Sequence, residues 1–522
     1  MQFCKFKVED GLLISLIIEI WVKKMETDGV GKNIWYASFG YLIPSILGYL
    51  FLFVATKIVD VKTIGLIAAI SSFVGLVIGF NTVNIPAGMR RYLGIAFANK
   101  NLEEFKQVIV SALIIVSGGM FVSTIILLIP QFNIFRIIGI DYQYTWIILL
   151  MIISTGLNTV FYEIFVSSLK SKKILMPSLI GSIARFPIFV AFVYVFNLPT
   201  IGIILAYASM QFISTAYFAS YISKMFNNIP TKMENLQDKT KIIFKAGISS
   251  WVPYIMTQVG SNIGVLLIFS FKGSSETGTF YIPWMIYGFT IFIIAGIARI
   301  SQPLVAGMQN KQDQQKFLTH TTKLAFVFTM PIASVLLFFA NDFLNLFGRD
   351  FGSAYVVMYI LMLAIPFEII ASLTYHFIYG LGEHKSVFHY GLINTLTMTV
   401  FYFILIPKFG ANGAALGYLL GEIAIFIFIF YLARVSNLHL EYKKYFILST
   451  IPMSISSILW ATHTNFVLST LIVLLSSFAI FTRINLFTND DSHNVLYAVL
   501  PKDSADRMYP YIIKIMNRIK SF

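Results

Sequence analysis

One cysteine, Cys4, stands in 522 residues, so no disulfide can close within the chain. Charge is scarce as well: 12% of residues are charged, against 57% hydrophobic. A soluble chain of this length needs far more polar surface to cover its core. No GxxxxGK(S/T) loop occurs, which excludes ATP bound in that way as the direct energy source. No CxxC or HExxH pattern occurs either, and His376 and His384 at a span end read as incidental. No metal site and no cofactor are therefore expected. Acidic residues number 24 against 38 lysines and arginines, a net charge of +14. In a soluble protein that excess points to nucleic acid. Here it fits basic loops on an anionic inner leaflet, and no nucleic-acid partner is expected.

What the chain has instead is apolar runs of about 20 residues, each long enough to cross a hydrocarbon layer of roughly 30 Å as a helix. They do not alternate as barrel strands would. Residues 11–22 carry Glu19, are short for a span, and read as an interfacial helix. Spans follow at about 34–56, 64–86, 108–130, 144–169, 175–197 and 199–223. After a polar stretch come 246–270, 278–301, 322–340, 354–379, 387–407 and 411–433, then 445–463 and 465–484. Fourteen spans result, an all-α polytopic membrane protein. Eight prolines, Pro44 to Pro452, lie inside them, which membrane helices tolerate where neighbours satisfy the freed carbonyls.

The polar stretch Lys224–Lys245 holds five lysines against Glu234 and Asp238. Basic residues crowd one side of the spans, with one or none per connection on the other except the first. By the positive-inside rule the linker and both termini are cytoplasmic, in a multi-pass protein of the cell membrane. The segments are then 1–33, a six-helix bundle at 34–223, the linker 224–245, a second bundle at 246–433, two further helices at 434–485, and a tail at 486–522. In the tail, Met508, Tyr511, Ile512, Ile515, Ile519 and Phe522 recur at helical spacing opposite Lys514 and Arg518. That pattern predicts a basic amphipathic helix lying on the inner leaflet.

The halves repeat. Gly139 and Asp141 match Gly348 and Asp350, an offset of 348 − 139 = 209. Gly202 and Tyr207 match Gly413 and Tyr418, an offset of 413 − 202 = 211. Gly40 matches Gly247, and Lys173 matches Lys385. Pro86 matches Pro303 at an offset of 217, after a small insertion, and this places Thr82 opposite Arg299. Six is even, so both halves enter the membrane the same way round, as parallel repeats. Two such bundles define a midplane cleft that rocking opens to alternate sides.

Six plus six spans, a basic loop after the second (PAGMRRYLGIAFANKNLEEFKQ), a basic central linker and two extra C-terminal spans resemble the multidrug/oligosaccharidyl-lipid/polysaccharide (MOP) flippase superfamily. The fourteen-span layout is most similar to its polysaccharide transporter branch. The resemblance implies a V-shaped, MATE-like pair of bundles and a lipid-linked oligosaccharide as cargo. It also implies a groove for the lipid tail beside the two extra helices. Spans two and eight would face each other, with Asn81, Asn84, Arg299 and Gln302 at the cytoplasmic mouth.

Charges inside a membrane cost at least about 2.5–3.5 kcal/mol near its centre, so the few present are candidates for function. Arg185 and Arg299 suit a phosphate or pyrophosphate, because guanidinium is a fixed, planar donor. A structural carboxylate, or snorkelling to the headgroups, is the alternative. Arg90 and Arg91 would draw in an anionic headgroup. Glu163, Glu368 and Glu422 are candidates for a coupling proton or sodium ion, or for pairing with arginine. Glu163 and Arg185, on adjacent spans at similar depth, read as a pair. Gln258 and Asn262, one turn apart, would line the cleft, though hydrogen bonding between helices accounts for such amides equally.

The reading that joins these points is a flippase for a polyisoprenyl-phosphate-linked oligosaccharide, serving surface polysaccharide or glycoprotein synthesis. Membrane lipids and glycan assembly enzymes would be its partners. A cation-coupled multidrug exporter would share the fold. A membrane glycosyltransferase, polymerase or ligase would need catalytic residues on a sizeable outer loop; the first outer connection, KIVDVKT, is too small, and no other is large.

Overall fold

The computed structural model describes residues 30–99, 101–129, 134–168, 172–226, 235–308, 310–436, 438–499 and 502–521. The apolar segment 11–22 and most of the polar stretch, 227–234, lie outside the described residues. Among those described, the regular structure is helical, with no strand.

In order, the helices are α1 (Val30–Ala55), α2 (Val61–Asn81), α3 (Ile85–Ala98), α4 (Leu102–Leu128), α5 (Ile134–Ile138), α6 (Thr145–Ser167), α7 (Lys172–Tyr194) and α8 (Pro199–Phe226). Then come α9 (Leu236–Ser249), α10 (Trp251–Thr290), α11 (Phe292–Gly307), α12 (Lys311–Phe338), α13 (Ala340–Asn345) and α14 (Tyr355–Gly380). The last are α15 (His384–Val435), α16 (Tyr442–Ala461), α17 (Phe466–Arg483), α18 (Asn489–Val499) and α19 (Lys502–Ser521). Ten of the described helices are long and apolar enough to cross a membrane. Two of those ten are broken by glycine: α10 at Gly273 (φ +83°) and α15 at Gly410 (φ +55°). Each break falls where the apolar pattern separates two spans. Short polar side chains start several helices. Asp60 accepts from the Thr63 amide before α2, Asn101 from Glu104 before α4, and Asn465 from Val467 before α17.

The chain divides into two compact units. One holds Lys32–Ile282 and Thr395–Gly417. The other, among the described residues, holds Pro283–Asn394 and Tyr418–Ser521. The first unit thus takes in the front of α10, through glycine contacts. A Cβ at Gly65 would lie 1.8 Å from the Ser274 carbonyl oxygen, and one at Gly278 would lie 2.1 Å from that of Val61. Backbone meets backbone there, with no room for a side chain. Glu276 of α10 accepts from the Ala411 amide at 3.2 Å, satisfying a backbone donor just past the Gly410 break.

In the second unit α16 and α17 pack on α12. Tyr445 stacks on Phe326 with centroids 5.0 Å apart, and Ser456 donates to Ser334 at 3.0 Å. Val473 joins Val335 and Phe339 in a buried apolar cluster. Asp491 of α18, 1% exposed, accepts two bonds from Lys323 of α12, at 2.8 and 2.7 Å. The tail helix α19 buries Ala505 and Met516 and leaves Met508, Tyr511 and Ile515 exposed.

The duplication is visible in the backbone. A short helix, a positive-φ glycine, a 3₁₀ turn and a long helix occur as α5–Gly139–α6 and again as α13–Gly348–α14. Gly202 and Gly413 each abut the preceding helix, where a Cβ would meet Phe192 at 2.7 Å or the Leu405 oxygen at 2.3 Å. One detail of the alignment changes. The second span breaks after Asn81 and the eighth after Thr290, an offset of 290 − 81 = 209. The same offset pairs Arg90 with Arg299 (299 − 90 = 209), not Thr82 with Arg299. The prolines misled because Pro86 opens α3, whereas Pro303 lies inside α11.

Two stretches expected as irregular are helices. Residues 85–98 form α3, where Pro86 sits in the first turn and its missing N–H costs nothing. Residues 236–249, taken up to 245 as linker, form α9, which packs on α3 and α4.

Candidate functional site

Glu163, near the C-terminal end of α6, is 7% exposed, and both its oxygens are used by Arg90 of α3: Nη2 donates to Oε1 at 2.6 Å and Nε to Oε2 at 2.8 Å. This side-on pair is the strong form of a guanidinium–carboxylate contact. It replaces the expected pairing of Glu163 with Arg185. The reason is local: the segment carrying Arg90 is a helix lying against α6, not a loop at the membrane surface. Arg91, its neighbour, is exposed.

Arg185 in α7 is 3% exposed and makes no ion pair among the described residues. Its Nε donates to the Ser182 carbonyl at 3.1 Å, and Nη2 reaches the Met210 sulfur at 2.7 Å. The Phe51 ring centroid lies 5.5 Å from its guanidinium carbon. Gly48 lies beside it, where a Cβ would be in ordinary contact with Nη1 at 3.5 Å. A guanidinium has five N–H donors. These two bonds leave it with capacity for an anion.

The amides expected at a cleft mouth work between helices. Asn81 donates to Ser123 of α4 at 2.8 Å. Asn84 donates to the Ser250 hydroxyl at 2.8 Å and to its carbonyl at 3.2 Å. Both ends of that bond are breaks: Asn84 lies in the elbow between α2 and α3, and Ser250 lies between α9 and α10. Val83 and Asn84 hold φ of +46° and +51°, an unfavourable region, above all for a β-branched residue. Gly88 and Gly247 let the two elbows touch, a Cβ at Gly88 lying 2.8 Å from the Gly247 nitrogen. Asn262 donates to the Gln258 carbonyl at 2.8 Å, and both side chains lie against glycines of α2, Gly75 and Gly79. Arg299 and Gln302 lie on α11, and their side chains are outside the described residues.

Glu368 and Glu422 come together in the second unit, from α14 and α15, near enough to interact electrostatically. Glu422 is 1% exposed. Its Oε1 accepts from Asn394 at 3.2 Å, and its Oε2 is buried with no hydrogen-bond partner. Tyr287, Tyr390 and Tyr418 lie within electrostatic reach of the two acids. The Tyr287 and Tyr418 hydroxyls are 2.9 Å apart, with Trp284 against both rings. Neither acid pairs with a lysine or arginine among the described residues. Two adjacent carboxyls, an orphaned oxygen and a wall of aromatic rings suit a proton or a small cation. Asn394 and the tyrosines were not singled out from sequence. Tyr287 and Tyr418 are 418 − 287 = 131 residues apart, and only the fold joins them.

No protein-family model matches the chain, and no curated protein does. Solved structures match its fold. A lipid II flippase, MurJ, in an inward closed conformation superposes with a TM-score of 0.68 at 16% identity, covering 86% of this chain and 99% of that one. An inward-facing multidrug resistance MATE family transporter of the MOP superfamily gives 0.61 at 17%, covering 77% and 98%. A MOP superfamily transporter from Pyrococcus furiosus gives 0.57 at 15%, covering 83% and 98%. The fold is the MurJ/MATE-like fold of that superfamily.

Proposed function

We propose that the protein is a flippase, moving a polyisoprenyl-phosphate-linked oligosaccharide from the cytoplasmic to the outer leaflet by alternating access. The observation that carries this reading is Arg185: a guanidinium buried to 3% exposure with no carboxylate paired to it among the described residues. An anionic cargo, or a group that follows it, gives such a charge a purpose. The likeness to a lipid II flippase over nearly all of that chain supports a lipid-linked substrate. In this reading both termini are cytoplasmic, Arg90, Arg91 and Arg299 attract the headgroup, and α19 lies on the inner leaflet. Glu368 and Glu422 take the coupling proton or sodium ion, and Glu163 fixes Arg90. The chain catalyses no bond change and works beside the enzymes that build and consume the glycan.

The experiment is reconstitution into liposomes with a labelled lipid-linked oligosaccharide, scored by accessibility of the label in each leaflet. Protein-dependent transfer supports the reading, and transfer equal to empty liposomes removes it. One observation favours a second reading. The aromatic and acidic cluster around Glu422 would equally suit an organic cation, as in an exporter coupled to an ion gradient. Gradient-driven export of cationic dyes by the same liposomes, without glycolipid transfer, would establish that alternative.

A further inference from the structure

Beside α2 and α4 lies an apolar groove of about 530 Å³, within the roughly 300–1,000 Å³ of small-molecule sites. Phe80 and Val83 form one wall, Val122 and Ile126 the other, and Phe244 of α9 closes one end. Exposed apolar side chains are ordinary on a membrane-spanning surface; a concavity is not. Gly118 is part of its lining and puts no side chain into it. A Cβ built there meets nothing within 4 Å, whereas one at Gly119 would strike the Asn81 oxygen at 2.5 Å. Glycine inside a helix is less stable than alanine, and at Gly118 no close packing demands it.

The two polar side chains in the wall are engaged with each other and with backbone. Asn81 donates to Ser123, and the Ser123 hydroxyl donates to the Met120 carbonyl. The groove therefore offers hydrocarbon, not hydrogen bonds, to an occupant. Its α9 end is cationic. Lys241 lies one turn before Phe244 on the same helical face, and Lys245 follows Phe244. Lys239 is held by Glu104, but Lys241 and Lys245 are exposed. The contact of Lys241 with Asp238, at 3.9 Å between two exposed groups, neutralises little.

An apolar trough ending in ammonium groups complements a lipid with an anionic head. We infer that this groove holds the isoprenoid chain of a polyisoprenyl phosphate, with the phosphate at Lys241 and Lys245. The choice of an isoprenoid rests on the function proposed above. The inference adds a docking place for the carrier on the flank of the first unit, distinct from the two extra helices α16 and α17.

The test uses the full chain in nanodiscs and a polyisoprenyl phosphate bearing a diazirine in its chain. Photolabelling should fall on residues 115–127 or Phe244. Gly118→Leu fills open space in a helix, so melting should be unchanged while apparent affinity falls about tenfold. Lys241→Glu with Lys245→Glu should weaken the phosphate but not the neutral polyisoprenol. Equal labelling of Gly118→Leu and wild type overturns the inference, as does equal competition by phosphatidylglycerol, which would mark an ordinary boundary-lipid site. If glycolipid transfer is present but label misses the groove, the site fails and the flippase reading stands. If label falls in the groove of a protein that transfers nothing, the site stands without that function.

Discussion

Asn84 and Ser250 tie one helix break to another, the amide of the first donating to the hydroxyl and carbonyl of the second at 2.8 and 3.2 Å. The bond holds an elbow in which Val83 and Asn84 both have positive φ, a conformation that costs on the order of 1–3 kcal/mol per residue. Asn84→Ala removes the tie and should lower stability by about 1–2 kcal/mol, read as a fall in melting temperature. Val83→Gly relieves the backbone and should raise it. Equal melting temperatures for both variants and wild type would mean the elbow is neither strained nor tied.

Removing one partner of the Glu163–Arg90 pair should cost more when the arginine is the one removed. Glu163 is the buried member, with side-chain exposures of 9% against 58% for Arg90. Arg90→Ala leaves an uncompensated carboxylate, and a loss of about 2–3 kcal/mol is expected; Glu163→Gln leaves an arginine that reaches solvent, and about 1 kcal/mol is expected. Thermal unfolding of both single variants and the double variant gives the coupling between them.

Arg185→Ala should slow glycolipid transfer at least about tenfold while melting changes little, because no partner charge is left behind. Lysine should not rescue it, since a point charge cannot reproduce a planar donor set. The readout is initial transfer rate in liposomes beside melting temperature in detergent. An unchanged rate would remove Arg185 from transport.

Glu422→Gln keeps an acceptor for Asn394 and removes a charge that has no ion-pair partner among the described residues. The variant should fold, and transport driven by a proton or sodium gradient should fall to the rate seen without the gradient. Sensitivity to the gradient equal to wild type would exclude Glu422 from coupling.

Asp491 accepts from Lys323 and from the Thr488 amide while almost wholly buried. Asp491→Ala should free α18 and α19, at a cost of roughly 3 kcal/mol to that docking. Hydrogen exchange across residues 489–521 should rise many-fold, with α6 and α7 unaffected as internal controls.

Much of this architecture is legible in the sequence, because long apolar runs have one stable form in hydrocarbon. Gly273 and Gly410 break their helices where the pattern stops. Gly139 and Gly348, matched by spacing alone, share a positive φ. The elbows were not legible: Val83–Asn84 contains no glycine, and its conformation is held by Ser250 in a distant segment. The partner of Glu163 was hidden for the same reason. Adjacency and depth favoured Arg185, and only the unforeseen helix α3 brings Arg90 to it. The tyrosines around Glu422 look like ordinary membrane aromatics until three helices converge.

The interruptions after Asn81 and Thr290 lie 209 residues apart, the spacing that separates Gly139 from Gly348. A bend acquired separately in each half would have no reason to fall in register. The jointed second helix therefore belonged to the six-helix ancestor before its gene was doubled. Copying delivered two articulated arms at once, each jointed at the same place.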